Sequence, residues 1–183
     1  MAKKAPAVLD PSQGIKFFRH AIQFYNVAQE LRTSRLHLAM QAIDYSLAIS
    51  YELALKAIMT ARGQFDSNQH HVHNLTKLYT LCSISIDSEN ERELIDYLSV
   101  ILTKFGRYPV FSLQDRKLLD SKLKNTVIVR RDKETIERYG KEASETNPES
   151  GIINDTYKNV WEKLSNLYDS ANSRLPLDSK TAD

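Results

Sequence analysis

Glycine and proline are scarce in this chain, with five of each among 183 residues, and turn-rich all-β folds need more of both. The glycines, at 14, 63, 106, 140 and 151, never stand closer than eleven residues. Neither a Gly-x-Gly-x-x-Gly fingerprint nor a Walker-type phosphate loop can therefore be written. Cysteine is limited to Cys82, which excludes an internal disulfide and removes the usual mark of a secreted scaffold. A reducing cytoplasm is the expected compartment. No stretch approaches the roughly 18 uninterrupted apolar residues of a membrane span, and the apolar start of residues 1–9 is interrupted too soon for a signal-peptide core. An excess of one charge is missing too. The 25 basic and 23 acidic residues leave a net +2, too little for a global field that would draw in nucleic acid or a membrane. A chain this long buries roughly 70% of its unfolded surface and needs no disulfide or metal staple.

What is present is helical periodicity. Residues 1–9 read as a flexible tail, and Asp10-Pro11 supplies an N-cap with proline at the first helical position. Ile15, Phe18, Ile22, Tyr25 and Leu31 then suggest a buried stripe. From about Ser34 to Arg62, Leu36, Met40, Ile43, Leu47, Tyr51, Ala54 and Ile58 recur every three or four residues, and Gly63 stands where a left-handed C′ residue would. The two segments predict an antiparallel hairpin. Residues 64–73 read as a loop. Asn74 caps a short helix carrying Leu75, Leu78, Tyr79 and Cys82. Ser88-Glu89-Asn90-Glu91 has the form of a capping box, followed by Leu94, Leu98, Ile101 and Phe105, then Gly106. Residues 112–124 suggest a weaker helix, the β-branched run 126–129 is undecided, and 140–153 read as a loop. Residues 155–174 carry a wide apolar face of Tyr157, Val160, Trp161, Leu164, Leu167, Tyr168 and Ala171, and Pro176 closes it before a tail at 175–183. The expected fold is one all-α bundle of about five or six helices spanning 10–174.

The most informative string is Glu52-Leu53-Ala54-Leu55-Lys56-Ala57-Ile58, then Gly63, then His73-Asn74-Leu75-Thr76-Lys77-Leu78, and later Arg107-Tyr108-Pro109. On an exposed face, Glu52 and Lys56 at i and i+4 would contribute only about 0.2–0.5 kcal/mol. The alternative is that the pair borders the interior and meets His73 and Arg107 in a polar cluster, where unpaired burial is costly. Over roughly residues 14–125, this order resembles HEPN domains, small helical bundles with a Glu-x-x-x-Lys-Ala helix, a glycine, a His-Asp-Leu-x-x-Leu helix start and often an Arg-Tyr-Pro turn. Asn74 replaces the usual aspartate, and either residue caps a helix.

The resemblance implies one of two activities. HEPN ribonucleases resemble one another in an Arg-x(4–6)-His motif late in the domain, whereas members without it bind nucleotides or partner proteins. The last histidine here is His73, so the late motif is missing. Arg32 and His37 satisfy the spacing far upstream, yet on a continuous helix they would stand about 140° apart. The expectation is a non-catalytic HEPN-like module for nucleotide, RNA or a partner protein, with Glu52, Lys56, His73, Arg107 and Tyr108 as ligand-binding residues. The alternative is a metal-independent endoribonuclease of the toxin or defence type, with His73 as base and Arg107 as phosphate-stabilising cation. A structural helical adaptor is the third reading.

Other candidates are blander. His70, His71 and His73 complete no zinc-ligand spacing with Cys82 or nearby carboxylates, so neither a metal nor another cofactor is expected. Cys82, on an apolar stripe, reads as a buried thiol. Residues 116–141 hold nine basic and four acidic residues, a local +5, whereas 87–96 carry a local −4. Arg116, Lys117, Lys122, Lys124, Arg130 and Arg131 are the candidate nucleic-acid contacts, with a solvated surface as the competing reading. A homodimer is expected from the wide apolar face of 155–174, and no membrane association.

Overall fold

The computed structural model describes residue 10 and residues 12–33, 40–66, 71–105 and 148–173. Among the described residues there are five α-helices and no strand: α1 (Ser12–Thr33), α2 (Met40–Ala61), α3 (Leu75–Leu81), α4 (Glu89–Val100) and α5 (Pro148–Ser173). A π-helical turn, Ile101–Phe105, continues α4. The fold is an all-helical bundle, and no described helix is long and apolar enough to cross a membrane.

Asp10 caps α1, its carboxylate accepting the Ser12 N–H at 2.9 Å. The buried edge of this helix differs from the expected stripe. Gly14, Ala21 and Ala28, seven residues apart, are buried against α2, while Ile22 is 40% exposed. A Cβ built on Gly14 would stand 3.2 Å from the Ala57 carbonyl oxygen and 3.5 Å from the Ala61 nitrogen. The start of α1 therefore lies against the end of α2, antiparallel as expected. Backbones this close leave no room for large side chains in the seam, so Phe18, Tyr25 and Leu31 flank it half-buried.

α2 is the central element. From Ser50 to Ala61 every residue except Leu53 is buried. Its hydroxyls are satisfied within the helix, Ser50 donating to the Leu47 carbonyl and Thr60 to the Lys56 carbonyl, each at 2.7 Å. It begins at Met40, and residues 34–39 lie outside the described ones. It ends as expected on Gly63 at φ +66°, with Gly63 N–H bonded to the Thr60 carbonyl and Gln64 N–H to the Met59 carbonyl. The same 6→1 and 5→2 pattern closes α3, but there the left-handed residue is Ser83, at φ 52°.

α5 starts at Pro148, seven residues before the expected helix, so 148–153 are helical rather than loop. Proline suits a first helical turn, and Gly151 weakens a helix by only about 1 kcal/mol relative to alanine. The Tyr51 hydroxyl donates to the Tyr157 carbonyl at 2.7 Å, and Arg62 shares a small cavity with Ser170 at the other end, so α5 runs parallel to α2. Against α1 it forms an aromatic zipper in the order Tyr25, Trp161, Phe18, Tyr168, with ring centroids 4.3, 6.0 and 3.9 Å apart. Both helices supply rings seven residues apart, and the apolar face of α5 is taken up inside the bundle. The expected tails, the helix at 112–124, the run at 126–129 and residues 140–147 lie outside the described residues.

Candidate functional site

Glu52 and Lys56 share one face of α2, one turn apart, and both are buried, at 8% and 4% exposure. The surface-pair reading is thereby corrected. The helix is covered on nearly all sides, so its i, i+4 pair is enclosed with it. Lys56 Nζ donates to Glu52 Oε1 at 2.6 Å. His73 arrives from the segment ahead of α3, with Nδ1 3.2 Å from both Glu52 oxygens. Two devices hold it there. Asn74 caps α3, its side chain accepting the Lys77 N–H at 2.8 Å. Ser99 on α4 accepts the Leu75 and Thr76 N–H groups at 3.0 and 3.3 Å. The orphan amides of a short helix are thus satisfied by a neighbouring element, which fixes the loop before it.

Three of the five expected ligand-binding residues therefore come together. Arg107 and Tyr108 lie outside the described residues, as do Arg116, Lys117, Lys122, Lys124, Arg130, Arg131, His37 and His70. His71 is exposed. Among the described residues, no group of three His, Cys, Asp or Glu side chains could hold a metal ion. Cys82 is buried with its thiol 3.5 Å from the Leu55 carbonyl, and burial pushes that thiol up to about 12, which keeps it protonated.

A second ionic cluster escapes the sequence reading. Ser88 caps α4 as expected, accepting the Glu91 N–H at 3.1 Å. The Glu91 carboxylate, however, does not close a capping box on Ser88. It turns inward, accepting the Asp87 N–H at 2.7 Å, the Tyr79 hydroxyl at 3.3 Å and Lys163 Nζ at 2.9 Å. Lys163, on α5, also donates to the Ser85 carbonyl at 2.6 Å and pairs with Asp87 at 2.7 Å. Burial alone would lower the Lys163 ammonium, but hydrogen bonds to Asp87 and Glu91 outweigh it and hold it raised. The same bond from Lys163, with one from Ser85, lowers the Asp87 carboxyl. Burial, then the Glu91 charge, pushes the Tyr79 phenol well up. The cluster borders a cleft of about 480 Å³ whose walls include Asp155 and Asn159. Its sequence signal was positional: Glu91 stands one turn before Leu94 and Ile95, and Lys163 three residues after Val160, each charged residue lying on an apolar stripe.

Compared with family models, curated proteins and solved structures, the chain matches none.

Proposed function

We propose that this protein is a cytoplasmic, HEPN-like binding module without catalytic activity, whose ligand is a nucleotide, RNA or a partner protein. The observation that carries the reading is the convergence of Glu52, Lys56 and His73 from α2 and the segment before α3. Those are the side chains that carry the HEPN resemblance. RNA is favoured among the ligands because the sequence concentrates a local +5 in residues 116–141, a source of phosphate contacts. Binding of a labelled RNA should then weaken steeply with added salt. Retention with no salt slope, or none at low salt, overturns the RNA reading.

A second reading draws on one specific feature. A carboxylate hydrogen-bonded to a histidine Nδ1 is the arrangement that orients a general base, and Glu52 and His73 adopt it. In an endoribonuclease, Arg107 would supply the cation. Incubation with RNA in chelator separates the two: cleavage lost in His73→Ala makes the protein an enzyme, and intact RNA keeps it a binder. Homodimer formation belongs to the same proposal, but the apolar face of α5 from which it was expected is covered within the bundle, so a dimer contact has to come from another surface. Light scattering with and without RNA reads it and separates a binder from a purely structural adaptor.

A further inference from the structure

Burial divides the cluster into two kinds of group. The side chains of Glu52 and Lys56 are 10% and 5% exposed, whereas that of His73 is 36% exposed. Lys56 Nζ is already committed to Glu52 Oε1 at 2.6 Å, and the Glu52 carboxylate is shared between Lys56 and His73. Neither is placed to meet a ligand.

An ionised carboxylate only accepts hydrogen bonds, so the nitrogen of His73 facing Glu52 must carry the proton. In a neutral imidazole the other nitrogen then holds a lone pair, and the tautomer is set by the bond the first nitrogen makes. Nε2 lies across the ring from the carboxylate, and no described residue bonds to it.

We infer that Glu52 and Lys56 are positioning residues, and that they present His73 Nε2 as an unprotonated acceptor for the 2′-hydroxyl of a bound RNA strand. The hydroxyl donor rests on the RNA reading above; the tautomer rests on geometry alone. The buried ion pair supplies rigidity, since Lys56 restrains the carboxylate that restrains the ring. A hydroxyl is also the group that distinguishes RNA from DNA at a given contact.

The test uses the full chain labelled with ¹⁵N, in mildly alkaline buffer where an ordinary imidazole is neutral. Long-range proton–nitrogen correlation reads each ring nitrogen, and His73 is identified among five histidines by its loss in His73→Gln. The expected spectrum has a protonated Nδ1 and a bare Nε2. Nε2 should shift when a uridine oligoribonucleotide is added and stay in place with its deoxy counterpart, with RNA preferred by roughly two- to tenfold, the worth of one hydrogen bond. In Glu52→Leu/Lys56→Met, which exchanges the ion pair for apolar groups, the ring should turn to the Nε2–H form and the RNA preference should vanish. A wild-type Nε2–H tautomer overturns the positioning role without any variant needing to fold. Retention of the Nδ1–H form in a folded double variant also overturns it. An Nδ1–H form whose Nε2 ignores both oligonucleotides overturns the hydroxyl ligand and leaves the positioning intact.

Discussion

The two ionic clusters solve one problem in opposite ways. Around Glu52, the ammonium that compensates a buried carboxylate lies four residues away on the same helix, and a single imidazole comes from elsewhere. Around Glu91, the ammonium comes from α5, 72 residues later, while backbone and phenol donors complete the shell. The first is a local pair closed off by the packing around it. The second joins three helices, since Tyr79 belongs to α3, Glu91 to α4 and Lys163 to α5. The difference teaches what each carboxylate loses with its lysine: Glu52 would keep one half-exposed ring, whereas Glu91 would keep an amide and a hydroxyl.

The largest expected effect therefore falls on Lys56→Met. Leaving Glu52 charged and buried should destabilise by about 3–5 kcal/mol in urea unfolding. The double change Glu52→Leu/Lys56→Met should recover most of that loss, because apolar groups of similar volume often replace a buried pair at little cost. Lys163→Met should cost less, about 1–3 kcal/mol, because Glu91 keeps its other donors. Equal losses in the two single variants would break the contrast.

The Glu91 cluster also carries a pH signature. Lys163 is raised in the folded chain, so its contribution is complete below the ordinary lysine pKa and is lost as pH rises through the raised value. Asp87 is lowered, so its contribution is present above the ordinary aspartate pKa and is lost as pH falls through the lowered value. The difference in urea midpoint between wild type and Lys163→Met should consequently narrow at both extremes. A constant gap across that range would remove the ionic account of this cluster.

α3 connects the clusters, with His73 ahead of it, Tyr79 within it and Cys82 at its C-cap. Tyr79→Phe should cost about 1 kcal/mol by removing the hydroxyl that reaches Glu91. Cys82, held near 12, should resist alkylation in the native chain, and Lys163→Met should speed its labelling by loosening α3. Rapid labelling of the wild type would contradict the burial of the thiol. The smallest effect is Ser83→Gly, expected to stabilise by up to about 1 kcal/mol, because glycine adopts the left-handed C′ conformation without a Cβ penalty. Thermal melting reads it.

Much of the local structure was legible from residue type and spacing. Gly63, Asn74 and Ser88 mark helix ends because each rule acts within a few residues of chain. The pairing of Glu52 with Lys56 was legible for the same reason. Their burial was only one of two readings, because it depends on which helices cover α2. On α1 the periodicity pointed to Ile22, yet the seam chose Gly14, Ala21 and Ala28, since close approach of two backbones selects for the absence of side chain. The early start of α5 was hidden by glycine and serine around Pro148, where composition suggested a loop although proline suits a first helical turn.

Composition and period alone determined the helical class, most helix ends and one candidate ion pair, because those depend on backbone hydrogen bonding and on neighbours within one or two turns. Only the tertiary structure decided which charges are enclosed, which partner Glu91 takes and which edge of His73 faces Glu52. Burial and long-range pairing are properties of assembled surfaces, and no single segment contains them.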